Sequence, residues 1–282
     1  MSIAILRAAT ALYAVAALLY VGYFSRPRHG RLSAAGFYVL AAGFVVHALA
    51  IGAGCREYGG KEFFSLRGGV VLAAWLAAGA YLVLHRLYRV PSLGALVVPL
   101  VVVALIPANL IDPAHPAVPK ELVRNAAFHV MAAILAVALF AIACGVAIMY
   151  LLQEREVKGK HFGALFSRLP SLDALDRLNQ RLVRAGFAAF TLALLAGTIN
   201  AAAVWKSAWS WDLQQVLSVG IWLLYGAMVE LRHQGWHGRR YAVLTVVGFL
   251  VLIGAMGVRQ AFPGATRHAG SYGVVVNGGG AQ

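Results

Sequence analysis

Trp205, Trp209 and Trp211 stand within seven residues, with Lys206 and Asp212 beside them. The chain has six tryptophans in all, so half are concentrated in one short segment. Clustered indoles can make a flat apolar platform on which a planar aromatic ligand stacks and buries area. Indoles also anchor membrane proteins at the interface, and that plainer reading stands beside the first. The nine histidines are the second source of chemistry. His29, His85, His161, His233 and His237 fall in basic connections and read as solvated or near headgroups. His115, between Pro113 and Pro116, reads as part of a turn. His47 lies within an apolar run, where an ionisable group is costly and marks a functional site unless a neighbouring helix bonds it. His129 and His268 stand at the edges of two other apolar runs.

These residues must be positioned by membrane helices. Of 282 residues 61% are hydrophobic and 12% charged, against about 25% charged in a soluble domain. That excludes both a soluble core and a disordered chain. Eight runs are long enough to cross a bilayer, which takes about 20 apolar residues. They fall near 3–24, 34–54, 69–84, 93–110, 128–152, 185–203, 214–231 and 241–261. The expected fold is an all-α integral membrane bundle of about eight transmembrane helices, a single polytopic domain over 1–282. The first run carries Arg7 near its start, ahead of an apolar stretch, and so resembles a signal peptide. It has no small-residue cleavage site and is followed by Arg26, Arg28 and Arg31, so it reads as retained. Pro99 and Pro107 suggest a kinked or tilted fourth span.

Charge sets the expected orientation. The connections 25–33, 85–92, 153–184 and 232–240 hold 15 of the 24 Lys and Arg residues. The positive-inside rule makes that side cytoplasmic and puts both termini outside. The net charge of +14 is thereby explained without nucleic acid. His129, His268 and the 204–213 tryptophan loop then share the outer face, where two imidazoles beside such a platform could ligate a haem iron from both axial directions. The cytoplasmic connection 153–184 contains Leu172, Leu175, Leu178 and Leu182 at helical spacing, with Asp173 and Asp176 early and Arg181 and Arg184 late. This is an amphipathic helix suited to the inner membrane surface, or else to docking a partner. The Gly-rich stretch 273–282 reads as a disordered tail. Cys55 and Cys144 differ in depth by more than about 20 Å and cannot bridge.

Several segments resemble the CcsA/HemX-type cytochrome c assembly family. Trp209-Ser-Trp-Asp212, followed by Ile221-Trp-Leu-Leu-Tyr225, is similar to its tryptophan-rich motif and following helix. Phe128-His-Val130 and Arg267-His-Ala-Gly-Ser-Tyr272 resemble the two outer histidine regions, and His47-Ala-Leu49 the intramembrane histidine. Leu172-Asp-Ala-Leu-Asp-Arg-Leu178 and Gly235-Trp-His-Gly-Arg-Arg240 are similar to cytoplasmic segments of the family. The resemblance runs from the second span onward, and the tryptophan motif is its most specific part.

The resemblance implies a haem-handling subunit of a System II-like cytochrome c synthase, presenting haem b on the outer face for thioether attachment to the CxxCH motif of apocytochrome c. His129 and His268 would be the axial ligands of the iron, Trp205, Trp209, Trp211 and Asp212 would hold one face, and His47 would belong to an intramembrane haem site. The reactive thiols belong to the acceptor, so no catalytic residue is assigned to this chain. Arg124, Lys206, Arg259 and Arg267 are candidate cations for the propionates. The implied partners are haem, apocytochrome c, membrane lipid and a second membrane assembly protein with a large outer domain. The implied location is the bacterial cytoplasmic membrane. Two departures stand out: Glu230 occupies the region of the family's second intramembrane histidine, and Leu-Gln-Gln215 replaces Pro-Lys-Glu after Asp212. Two alternatives remain open, a HemX-like regulator of haem biosynthesis and an unrelated transporter.

Overall fold

In hydrocarbon a backbone must satisfy its own hydrogen bonds, so each apolar run has to become a helix. A computed structural model describes residues 2–25, 30–59, 61, 65–111, 120–160, 169–205, 209 and 211–261. The described residues form eight helices and no strand: α1 Ser2–Ser25, α2 Gly30–Tyr58, α3 Leu66–Tyr88, α4 Pro91–Leu110, α5 Lys120–Lys158, α6 Leu172–Trp205, α7 Leu213–His233 and α8 Arg239–Ala261. All eight are long and apolar enough to cross a membrane. Aliphatic side chains such as Leu18, Leu110 and Ile199 lie on the outside, whereas Tyr13, Tyr20, Tyr81, Tyr225 and Tyr241 are fully buried. That distribution suits a lipid solvent and a polar-tipped interior.

Local sequence explains the helix ends. Ser65 caps α3, its Oγ accepting from Gly68 N at 3.0 Å, and Arg89 closes the helix in the left-handed conformation at φ 51°. Pro91 opens α4 at a position that needs no N–H donor. Pro99 and Pro107 lie inside α4 without ending it.

Two helices exceed their expected spans. α5 is 39 residues long and begins at Lys120, eight residues before the apolar run. α6 is one continuous helix of 34 residues. It therefore joins the amphipathic stretch 172–184 to the sixth span, in place of a separate helix lying on the membrane surface. The reason is packing: Leu175, Leu178 and Leu182 are buried in the core, and no proline or glycine interrupts residues 172–185.

The helices pack as two groups of four. In the first, α1 lies against α2 and α4, and α3 against α2 and α4; in the second, α6 lies against α5 and α7, and α8 against α5 and α7. α5 closes the molecule by packing also on α3 and α4. Small residues permit close approach. A Cβ at Gly43 would stand 2.8 Å from the Tyr13 ring, and one at Gly186 2.6 Å from Phe140.

Candidate functional site

Interhelical bonds identify the two ends of the bundle. At one end Ser2 bonds Glu57, Arg67 Nε donates to Ala108 O at 2.8 Å, and Asn109 Nδ2 donates to Thr10 Oγ1 at 3.0 Å. The beginning of α5, the end of α6 and the beginning of α7 meet at this same end, which we call the tryptophan end.

His129 sits in the third turn of α5 and is half-buried. Its Nδ1 lies 2.6 Å from Ala193 O on α6. A carbonyl only accepts, so Nδ1 must carry the proton and donate. The neutral ring then has its lone pair on Nε2, the tautomer an imidazole needs to bind a metal. Gly197 makes this contact possible, since a Cβ there would fall 2.8 Å from both Cε1 and Nδ1 of His129. Trp205, eight residues further along α6, lies about 12 Å up the same helix axis; its side chain is outside the described part.

After α6 the chain turns back into α7. Trp211 adopts φ 54°, a left-handed conformation that costs a non-glycine residue about 1 kcal/mol. Its indole is 78% exposed and that of Trp209 39%. The two rings meet edge to face, with centroids 5.3 Å apart and planes at 88°. These two therefore do not make one flat shelf; each offers a face in a different direction. Asp212 is buried and caps α7, with Oδ1 accepting from Gln215 N at 2.8 Å. This carboxylate faces the α7 backbone, a role that the run Asp-Leu-Gln-Gln215 signals as an aspartate–glutamine capping pattern.

His47 is fully buried on α2. Its Nδ1 lies 3.3 Å from the Tyr13 hydroxyl on α1, and the rings meet edge to face at 5.7 Å. Its Nε2 has no hydrogen-bond partner among the described residues. Glu230 is exposed in the last turn of α7, where it accepts from Gln234 Nε2 at 3.2 Å. α2 packs on α1 and α3, and α7 on α6 and α8, so His47 and Glu230 belong to different helix groups. His268, Arg267, Lys206 and His115 lie outside the described residues, as do the side chains of Arg124 and Arg259. Among the described residues no three His, Cys, Asp or Glu side chains converge to hold a metal ion. Axial ligation of haem needs only one imidazole on each face, so the donor set at His129 fits one axial position. Cys55 is half-buried and Cys144 buried, both as thiols.

The opposite end holds an arrangement that sequence reasoning missed. Asp176 on α6 receives both guanidinium nitrogens of Arg232 on α7, at 2.9 and 2.6 Å, and the Gly238 N–H at 2.9 Å. Arg232 also lies over the Tyr241 ring on α8 at 5.2 Å, and Asn179 Nδ2 donates to Thr245 Oγ1 at 3.0 Å. Three helices are clamped here. The available signal was a pair of opposite charges at the ends of two apolar runs, which sequence alone cannot match to each other.

A family model described as "Cytochrome C assembly protein" matches residues 6–265. Curated proteins named "Cytochrome c biogenesis protein CcsA" are similar over a shorter stretch. The one from Porphyra purpurea is 36% identical over 87 residues, 30% of this chain and 27% of that one. The one from Prochlorococcus marinus (strain NATL1A) is 38% identical over 82 residues, 29% and 26% of the two chains. The one from Gloeothece citriformis is 36% identical over 86 residues, 30% and 26%. The matched stretch thus spans about a quarter of these curated relatives.

Proposed function

Since the chain belongs to the cytochrome c assembly protein family, we propose that this multi-pass membrane protein holds haem at its tryptophan end and presents it to apocytochrome c. The observation that carries the reading is the His129 Nδ1 bond to Ala193 O, which orients the ring and leaves Nε2 as a ligand. His129 supplies one axial imidazole and His268 the other. The segment from Trp205 to Trp211 covers part of the macrocycle, with Trp209 and Trp211 bracketing an edge, because rings at 88° cannot both lie flat on one plane. Asp212 contributes by fixing the start of α7 and hence the turn that carries Trp211. His47 joins α1 to α2 through Tyr13.

The chemistry is addition of acceptor thiols to the vinyl groups of haem b, which the haem itself makes reactive. The chain's task is to hold the macrocycle at a fixed angle, keep water from one face and occupy both axial positions until the acceptor histidine competes. On this reading the tryptophan end and both termini face outward, the 153–184 connection is cytoplasmic, and the membrane is the bacterial cytoplasmic membrane. A second membrane protein with a large outer domain completes the synthase.

The test is the absorption spectrum of the detergent-purified full chain. Wild type should show a low-spin haem. His129→Ala and His268→Ala should each lose the low-spin bands and abolish cytochrome c maturation, while His115→Ala should keep both. Unchanged spectra in both variants would sink the assignment. Spectral loss with intact maturation would favour a regulatory role in haem synthesis.

A further inference from the structure

A cavity of about 350 Å³ opens between the two helix groups, away from the tryptophan end. It runs along α3 from Trp75 to Tyr88, thirteen residues or about 20 Å of helix rise. Its inner end is closed by Phe44 and Trp75, which stack with centroids 4.8 Å apart and planes at 6°, while the Trp75 Nε1 donates to Phe44 O at 3.2 Å. Val83 and Leu87 stand at its rim, 56% and 65% exposed. The walls are almost wholly apolar, and none of the residues lining the cavity is a histidine, cysteine or methionine. The cavity therefore offers iron neither an imidazole nor a sulfur ligand, and the Tyr88 ring at its mouth lies under Arg181, so it is separate from the haem reading. A space of this volume equals roughly ten waters' share of liquid, yet apolar cavities do not hold ordered water.

The other end of the cavity is cationic. Arg181 on α6 stays exposed at the mouth, with its guanidinium 4.9 Å from the centroid of the Tyr88 ring. Arg86 and Arg89 flank Leu87 and Tyr88 in sequence and are exposed. None of these three arginines forms an ion pair with a carboxylate among the described residues, whereas Arg177, Arg232 and Arg239 do. The guanidinium of Arg181 is thus oriented by an aromatic face and free on its outer edge.

We infer that this slot is a binding site for an anionic phospholipid, with one acyl chain lying along α3 between Trp75 and Tyr88 and the phosphate held by Arg181. Length, apolar lining and the uncompensated charge at one end match that amphiphile together. A neutral headgroup, such as that of a quinone, would leave the arginines unanswered, and basic pockets between membrane helices commonly take phospholipid headgroups. The lipid would fill the seam where α3 meets α5 and α6, and so stabilise the joint between the two groups.

The experiment is native mass spectrometry of the full chain after reconstitution into vesicles of phosphatidylglycerol and phosphatidylcholine in equal parts. Wild type should retain one phosphatidylglycerol on release into detergent. Arg181→Gln should weaken that retention about tenfold, the loss expected for one charge-assisted contact, and Arg181→Lys should restore most of it. Val83→Trp, which fills the slot, should abolish retention. Equal retention of the two lipids, or undiminished phosphatidylglycerol in Arg181→Gln, would overturn the inference. Because Arg181 is exposed, its variants leave the fold intact and decide the matter even where Val83→Trp misfolds. Haem content should be unaffected throughout, so failure here is distinguishable from failure of the haem assignment.

Discussion

The two ends of the second helix group treat their polar residues in opposite ways. At the clamp end, Asp176 on α6 accepts from Arg232 on α7 and from Gly238 in the turn that leads into α8. At the tryptophan end, His129 uses one nitrogen on Ala193 O and keeps the other, and Trp211 turns its indole outward. One end spends its polar groups on cohesion, and the other leaves one imidazole nitrogen outside its helix-to-helix bond and one indole exposed. The difference teaches that polarity inside a membrane protein is informative only once its partners are counted.

The contrast can be broken first at the clamp. Asp176→Ala leaves a 6%-exposed arginine side chain without its carboxylate. Loss of about 2–3 kcal/mol is expected, below the full cost of a broken buried pair because Asp176 keeps some contact with solvent. Thermal unfolding in detergent should show the drop, while the low-spin spectrum of the protein that remains folded should not change. A lost spectrum at preserved stability would reverse the roles assigned to the two ends.

Gly197→Val probes the tryptophan end through its floor. The added side chain displaces the His129 ring from Ala193 O, so haem affinity should fall at least about tenfold, an energy near that of one hydrogen bond that fixes a ligand. Gly197→Ala should do less, because its Cβ at 2.8 Å from Cε1 and Nδ1 displaces the ring but brings no γ-methyls to displace it further. Haem titration monitored by absorbance separates the two. Equal affinity in wild type and Gly197→Val would show that the glycine serves helix packing alone.

The smallest expected effect is at Asp212. Removing the cap by Asp212→Ala should cost about 1 kcal/mol and be largely rescued by Asp212→Asn, which caps without charge. If Asp212→Asn instead loses haem, the charge acts on the ligand and the capping account is incomplete.

The membrane architecture was legible because a crossing demands a length of apolar sequence that cannot be disguised, and all eight runs appear as helices. The ends of those helices were less so. Hydropathy reports the part of a helix that meets hydrocarbon, whereas Lys120–Ala126 and Leu172–Arg184 continue α5 and α6 as polar or amphipathic turns. His129 drew attention by its place at the edge of an apolar run, which the structure puts in the third turn of α5, but its tautomer depends on Ala193 and Gly197, sixty-odd residues away on another helix. Tyr13 as the partner of His47 was invisible for the same reason. The capping bond from Asp212 to the backbone that follows it was legible in the Asp-Leu-Gln-Gln215 run but was not read there.

α5 is nearly twice as long as a bilayer crossing requires and is the helix through which the two sets of four adhere. The polypeptide is in effect two insertable cassettes fastened along one rail. An assembly defect would then show up as unfastening, with every crossing still in place.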